Sequence, residues 1–129
     1  MGACYSVELK VNVIDMPGAI KALNEHIVND TSADYDLEEY AEHGITTETF
    51  DGLIKILLAE LQQPISIYRK GKFVIYENAF DASYGWERIM MEWFKVLEPF
   101  LANGSQLLIY PDEDYDKLVI KNGKCVQIH

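Results

Sequence analysis

Near the start of the chain, apolar residues alternate without interruption at Tyr5, Val7, Leu9, Val11 and Val13. Side chains two residues apart lie on the same face of a β-strand, so this pattern predicts a strand over about Ala3–Ile14 with one apolar face. Strands of this kind are typical of antiparallel sheets that are covered on one side only. The rest of the chain must therefore supply a layer that covers the apolar face.

Three longer segments repeat apolar residues at helical spacing and can form that layer. The first follows the strand directly. The second is predicted to begin after a cap at Thr46 or Thr47, because a hydroxyl there can accept a hydrogen bond from the first turn. The third is predicted to follow a cap at Asp81 or Ser83. A short acidic helix is predicted over about residues 37–43.

Five further strands are predicted at about Ile65–Arg69, Lys72–Asn78, Gln106–Tyr110, Lys117–Lys121 and Lys124–Ile128. Asn122-Gly123 is the strongest turn signal, because both central residues of a type I′ hairpin need positive φ. It should pair Ile120 with Cys125. The sequence thus predicts a single α+β domain over residues 1–129, with a mainly antiparallel sheet of about six strands and two or three helices packed on one face.

The chain of 129 residues contains no complete signature of a known chemistry. It lacks a nucleophile elbow and a phosphate-binding glycine loop, and its three histidines lie far apart in sequence. We expect no cofactor. No apolar run approaches the roughly 20 residues of a membrane helix, and no secretory signal is visible. Together with two cysteines predicted to point to opposite sides of the sheet, this favours a cytoplasmic protein with free thiols.

Negative charge is concentrated in residues 22–54, which contain no Lys or Arg, although the whole chain has a formal charge of −10. This segment would repel nucleic acid, so no direct nucleic-acid binding is expected. It could instead dock on a basic protein surface, which makes a non-enzymatic interaction protein the preferred hypothesis. The alternative is a solvated surface that aids solubility. The candidate protein-binding residues are Asp34, Asp36, Glu38, Glu39 and Glu42.

A second acidic segment offers a different hypothesis, a small metal-dependent enzyme. Asp112, Asp114 and Asp116 have the spacing of the first ligands of a calcium loop. The sixth and twelfth positions of such a loop require Gly and Glu, but Lys117 and Gly123 stand there. A polar turn between two strands explains the same residues, and both interpretations remain open.

The segment from Asn78 to Trp86 precedes a long helix, a strand and a hairpin that contains Asn-Gly-Lys. Over roughly the last 55 residues this resembles the YubB family of plasmid and phage proteins, although Ser83 and Trp86 are spaced more widely than in that family. The whole chain also resembles small uncharacterised proteins of phages and prophages in Gram-positive bacteria. These resemblances imply a ferredoxin-like fold and a mobile-element origin, and they bring no catalytic residue with them.

Self-association is a further expectation from the sequence. A sheet with open edges can pair with a second copy, and Met91 is predicted to lie on the outer side of the long helix. A homodimer is compatible with the interaction hypothesis.

Overall fold

A computed structural model of the protein describes residues 2–30, 35–110 and 116–128. The strands are β1 (Gly2–Val11), β2 (Ser66–Lys70), β3 (Phe73–Ser83), β4 (Gln106–Tyr110), β5 (Asp116–Lys121) and β6 (Lys124–Ile128). The helices are α1 (Met16–Asn29), α2 (Leu37–Glu42), α3 (Phe50–Leu57) and α4 (Trp86–Val96), followed by a 3₁₀ turn at Glu98–Phe100.

The six strands form one sheet in the order β2-β3-β1-β4-β5-β6, and every neighbouring pair is antiparallel. This confirms the predicted α+β class and the six-stranded sheet. Because β1 and β2 are both antiparallel to β3, they run parallel to each other with β3 between them. A split β-α-β arrangement of this kind is compatible with a ferredoxin-like connectivity, to which β5 and β6 add a hairpin.

The odd-numbered residues of β1 face the core, as their alternation predicted. Their side chains are at most 8% exposed, and they share a single apolar cluster with residues of α1, α3 and α4. Trp93 and Phe94 of α4 are fully buried there. Met91 is half-buried against the same cluster, so its predicted position on the outer side of α4 is wrong.

Helix α3 begins later than the sequence suggested. Its cap is Thr49, whose Oγ1 accepts from the Gly52 amide at 3.0 Å, and not Thr46 or Thr47. The Thr46 carbonyl instead packs against Gly52, where a Cβ atom would lie 2.0 Å from the Thr46 oxygen. A glycine is therefore required at position 52 for close packing, and not for backbone flexibility.

Strand β3 is longer than predicted and extends through Asp81 to Ser83, so neither residue caps α4. Asp81 of β3 lies beyond Ser66, the first residue of β2, and there the Gln62 side chain makes the backbone hydrogen bonds that a neighbouring strand would make. Its Nε2 donates to the Asp81 carbonyl at 2.7 Å, and its Oε1 accepts from the Asp81 amide at 3.0 Å. The chain then turns at Gly85, whose φ of 90° is readily available only to glycine.

The first turn of α4 has no side-chain cap and is tied to the sheet by Tyr5 of β1. The Tyr5 hydroxyl lies 3.0 Å from the Ser83 carbonyl and 2.8 Å from the Glu87 carboxylate. Burial raises the pKa of Tyr5 to about 12, and the hydrogen bond to Glu87 and the negative charge of Glu87 also raise this pKa. The phenol therefore stays protonated and keeps its donor at neutral pH.

The last hairpin has the register that its turn sequence predicted. Asn122 and Gly123 have φ values of 52° and 74°, and Ile120 pairs with Cys125. Within the described part of the chain, no helix is long and apolar enough to cross a membrane.

Candidate functional site

Most of the predicted binding residues lie on helix α2 or at its N-terminal cap, and this helix is very short. Asp36 caps it, with its Oδ1 accepting from the Glu39 amide at 3.0 Å. Tyr40 anchors it because its ring is only 8% exposed and its hydroxyl is hydrogen-bonded by the backbone of Leu61. Tyr40 is thus the buried anchor of α2, Leu37 is half-buried against the core, and the remaining positions face solvent.

The carboxylates of α2 do face solvent. We call the exposed residues Asp36, Glu38, Glu39 and Glu42 the acidic surface. Across the described residues the ion pairs are His26 with Asp30 and Lys95 with Glu92, so none of these four acids is neutralised by a Lys or Arg. Within the described residues, the negative charge of the acidic surface is therefore not compensated by an ion pair.

An aromatic cavity of about 250 Å³ lies beside this surface, between α2, β3 and the start of α4. Its walls include the rings of Tyr35, Tyr40, Phe80 and Trp86, and Asp36 of the acidic surface lies at its boundary. The Tyr35 and Trp86 rings meet edge to face, with centroids 6.3 Å apart. Apolar walls next to exposed carboxylates suit a ligand that is both apolar and cationic.

Two buried polar atoms of these rings, the Tyr35 hydroxyl and Trp86 Nε1, have no hydrogen-bond partner among the residues that the structure describes. Burial, together with the charge of Asp30, raises the pKa of Tyr35, so its hydroxyl is a neutral donor. A buried donor without an acceptor costs about 1–3 kcal/mol. An acceptor brought to this part of the cavity wall would lower that cost.

Not all of the sequence-predicted residues can be placed. Asp34, Asp112 and Asp114 lie outside the described residues. Asp116 is the first residue of β5, and its Oδ1 lies 3.5 Å from Gln127 Nε2. The described residues contain no group of three or more His, Cys, Asp or Glu that could hold a metal ion. The metal-enzyme hypothesis therefore stays a prediction from the sequence.

A second cleft, of about 380 Å³, lies between α1 and the start of α4. His26 Nε2 is 3.9 Å from the Asp30 carboxylate, and Tyr84 and Arg88 line the same cleft. A histidine can act as a general base, but 3.9 Å is too long for a hydrogen bond through which this carboxylate would orient the ring. The described residues that line this cleft include no Ser, Thr or Cys, which are the nucleophiles that a histidine commonly activates.

The two cysteines lie on opposite faces of the sheet, as predicted, and both are free thiols. Cys4 is exposed, whereas Cys125 is half-buried against the core. Burial, and then the charge of Glu98, raises the pKa of the Cys125 thiol. A thiol that resists ionisation is a poor nucleophile, so Cys125 fits a structural position.

Sequence reasoning identified the acidic surface but missed the aromatic cavity. Tyr35 is far from Phe80 and Trp86 in sequence, and only the fold brings their rings together. Comparison with known proteins found no matching family model, no similar curated protein and no similar solved structure.

Proposed function

We propose that this protein is a non-enzymatic interaction module that docks on a basic segment of a partner protein. The observation that carries the proposal is the position of the acidic surface, which has no Lys or Arg partner in the described chain, next to an aromatic cavity. Carboxylates would attract the basic segment and set its orientation. The cavity would receive one of its side chains.

The chemistry of the cavity narrows the partner further. Aromatic walls bind the face of a guanidinium or the methylene stem of a lysine, and nearby carboxylates then pair with the charged end. The unpartnered donors of Tyr35 and Trp86 favour a segment that also offers a backbone carbonyl. An arginine- or lysine-containing loop or tail satisfies all three requirements, whereas a phosphate backbone offers acceptors but is repelled by the carboxylates.

The test is a tagged pull-down that compares two charge-reversed variants with the natural protein. In the first, Glu38, Glu39 and Glu42 become Lys, and Asp36 is kept because its side chain caps α2. In the matched control, the exposed residues Glu25, Glu48 and Glu92 become Lys, which changes the net charge equally. We expect a specific partner to be retained by the natural protein and the control but lost by the α2 variant.

Salt dependence separates recognition from simple charge attraction. Exposed charges are screened over about 10 Å at 0.1 M salt, so the on-rate should fall as salt rises, while the contacts in the cavity should persist. Equal retention of the same proteins by both variants would refute the role of α2.

A further inference from the structure

A cavity of about 240 Å³ lies at one corner of the sheet, where β1 ends and β2 turns into β3. The charged residues of its lining are Arg69 and Lys72, and the described residues add no carboxylate to its walls. By contrast, Asp36 bounds the aromatic cavity, and Glu92 lines the cleft beside His26. In a chain with a formal charge of −10, this corner is therefore a local exception that favours an anion.

The strand register explains why one of these cations faces the helices. Arg69 pairs with Val74, and Val74 pairs with Val11 of β1, whose side chain is buried in the core. Residues that pair across neighbouring strands share one face of a sheet. Arg69 therefore lies on the side of the sheet that carries the helices, whereas Lys70, the next residue, lies on the opposite side.

The second cation, Lys72, is held by the tight turn between β2 and β3. Gly71 has a φ of 62°, and the pairing of Lys70 with Phe73 closes the turn after two residues. A turn this short fixes the backbone of Lys72 relative to that of Arg69. Both side chains are exposed, and neither forms an ion pair within the described residues. Their charges are thus available to a ligand.

The rest of the lining is mostly apolar and includes the first residues of two helices. Met16 begins α1, and Phe50 begins α3. The N-terminus of a helix carries a partial positive charge, so both ends add to the attraction of an anion. An apolar wall beside two cations suits an anion that also carries an apolar group. The other residues of the wall are Val11, Asn12, Val13, Val74 and Tyr76.

Two carboxylates near this corner oppose an anion. Asp51 Oδ1 accepts a hydrogen bond from the Tyr76 hydroxyl at 2.5 Å, and Asp15 Oδ1 accepts from the Gly18 amide at 3.1 Å. Burial, the hydrogen bond to Asp51 and the charge of Asp51 raise the pKa of Tyr76, whereas the charge of Arg69 lowers it. Asp51 and Arg69 thus act on the same hydroxyl, and the charge of Asp51 partly offsets that of Arg69.

We infer that this cavity binds a small organic phosphate, with its phosphoryl group between Arg69 and Lys72 and its apolar group against the wall that contains Phe50. A phosphate monoester carries about two negative charges at neutral pH and three acceptor oxygens, which matches two cations better than a carboxylate does. A guanidinium binds phosphate through two parallel hydrogen bonds, and a lysine binds it as a point charge. The aromatic cavity reaches Ser83, at the other end of β3 from Val74, so this inference is independent of the proposed partner.

The test is a titration of isotope-labelled protein with phenyl phosphate, followed by the shifts of the backbone amides in NMR spectra. We expect saturable shifts at residues 69–74 and at Met16 and Phe50. The titration is carried out at about pH 7.5, where the probe is a dianion, and at constant ionic strength. Benzoate has the same ring but one charge and should bind about threefold more weakly. Inorganic phosphate, which lacks the ring, should also bind more weakly.

Four variants test the assigned residues. Arg69→Gln and Lys72→Gln should each weaken the binding of phenyl phosphate by about fivefold, because each removes one of the two cations. Lys70→Gln is the matched control, since it removes the same charge from the same hairpin but on the opposite side of the sheet, and its affinity should be unchanged. Asp51→Asn should tighten binding by about twofold, because it removes an opposing charge while its amide oxygen can still accept from Tyr76.

Circular dichroism verifies the fold of each variant. Shifts that spread over the exposed amides of the whole protein and do not saturate would overturn the inference. Benzoate that binds as tightly as phenyl phosphate would also overturn it, as would a Lys70→Gln variant that is weakened as much as Arg69→Gln.

Discussion

Replacing Tyr5 by Phe tests how α4 is fastened to the sheet. The ring is only 1% exposed, and the change removes nothing but the hydroxyl that reaches Ser83 and Glu87. One hydroxyl proton can serve one acceptor at a time, and a hydrogen bond to a charged group contributes about 1.5–3 kcal/mol. We expect the free energy of unfolding to fall by about 2 kcal/mol, which lowers the melting temperature of a chain this size by about 8 °C.

The effect of Tyr5→Phe should also depend on pH. The folded pKa of Tyr5, about 12, is above its ordinary value of 10.0, so folding favours the protonated phenol. This stabilisation is fully present below pH 10 and is lost as pH rises towards 12. The stability difference between natural protein and variant should therefore be largest near neutral pH and shrink above pH 10.

Urea unfolding followed by circular dichroism, at several pH values, measures both effects. Tyr84→Phe is the matched control, because Tyr84 is 62% exposed and should tolerate loss of its hydroxyl. A Tyr5→Phe variant within about 0.5 kcal/mol of the natural protein, or a difference that does not change with pH, would show that the hydroxyl does not fasten α4.

Two further substitutions test features of the fold. Gly52→Ala should lower the free energy of unfolding by more than about 2 kcal/mol, because a Cβ atom would lie 2.0 Å from the Thr46 carbonyl oxygen. Urea unfolding measures this change. Gly→Ala usually stabilises a helix, so a stabilised variant would contradict this packing. Gln62→Ala should cost about 1 kcal/mol and speed aggregation in light scattering, because it exposes the β3 edge at Asp81. Gln63→Ala, which removes no side-chain hydrogen bond of the described structure, should do neither, and equal behaviour of the two variants would refute the role of Gln62.

The features predicted correctly from the sequence depend on local rules. The alternation around Tyr5 defined a strand with one buried face because its period of two is strict. The pair Asn122-Gly123 defined the register of the last hairpin because a two-residue turn leaves no freedom in the pairing of its flanking residues.

The errors arose where contacts that a single-element pattern does not include decide the outcome. Ser83 has the chemistry of a helix cap, but its pairing with Gly2 of β1 keeps it in β3. Thr46 has the same chemistry, yet its carbonyl is needed against Gly52, and Thr49 caps α3. Met91 was predicted on the outer side of α4 because one helix was considered without its neighbours.

In the candidate site, the charge could be predicted from the sequence, whereas the cavity could not. The charge of residues 22–54 is a property of composition, and the sequence states it directly. The aromatic cavity is a property of topology, because Tyr35 meets Trp86 only after β3 has carried the chain back past α2.

The central position of β1 has a consequence for the order in which the chain folds during synthesis. β1 is made before the other strands, but its partners β3 and β4 end only at Ser83 and Tyr110. At about 5–20 residues per second, β1 leaves the ribosome roughly 4–14 seconds before β3 is complete. During that interval both of its edges and its apolar face lack their native partners. Native pairing must wait for contacts distant in sequence, so we expect slow folding and a nascent chain that benefits from chaperone protection.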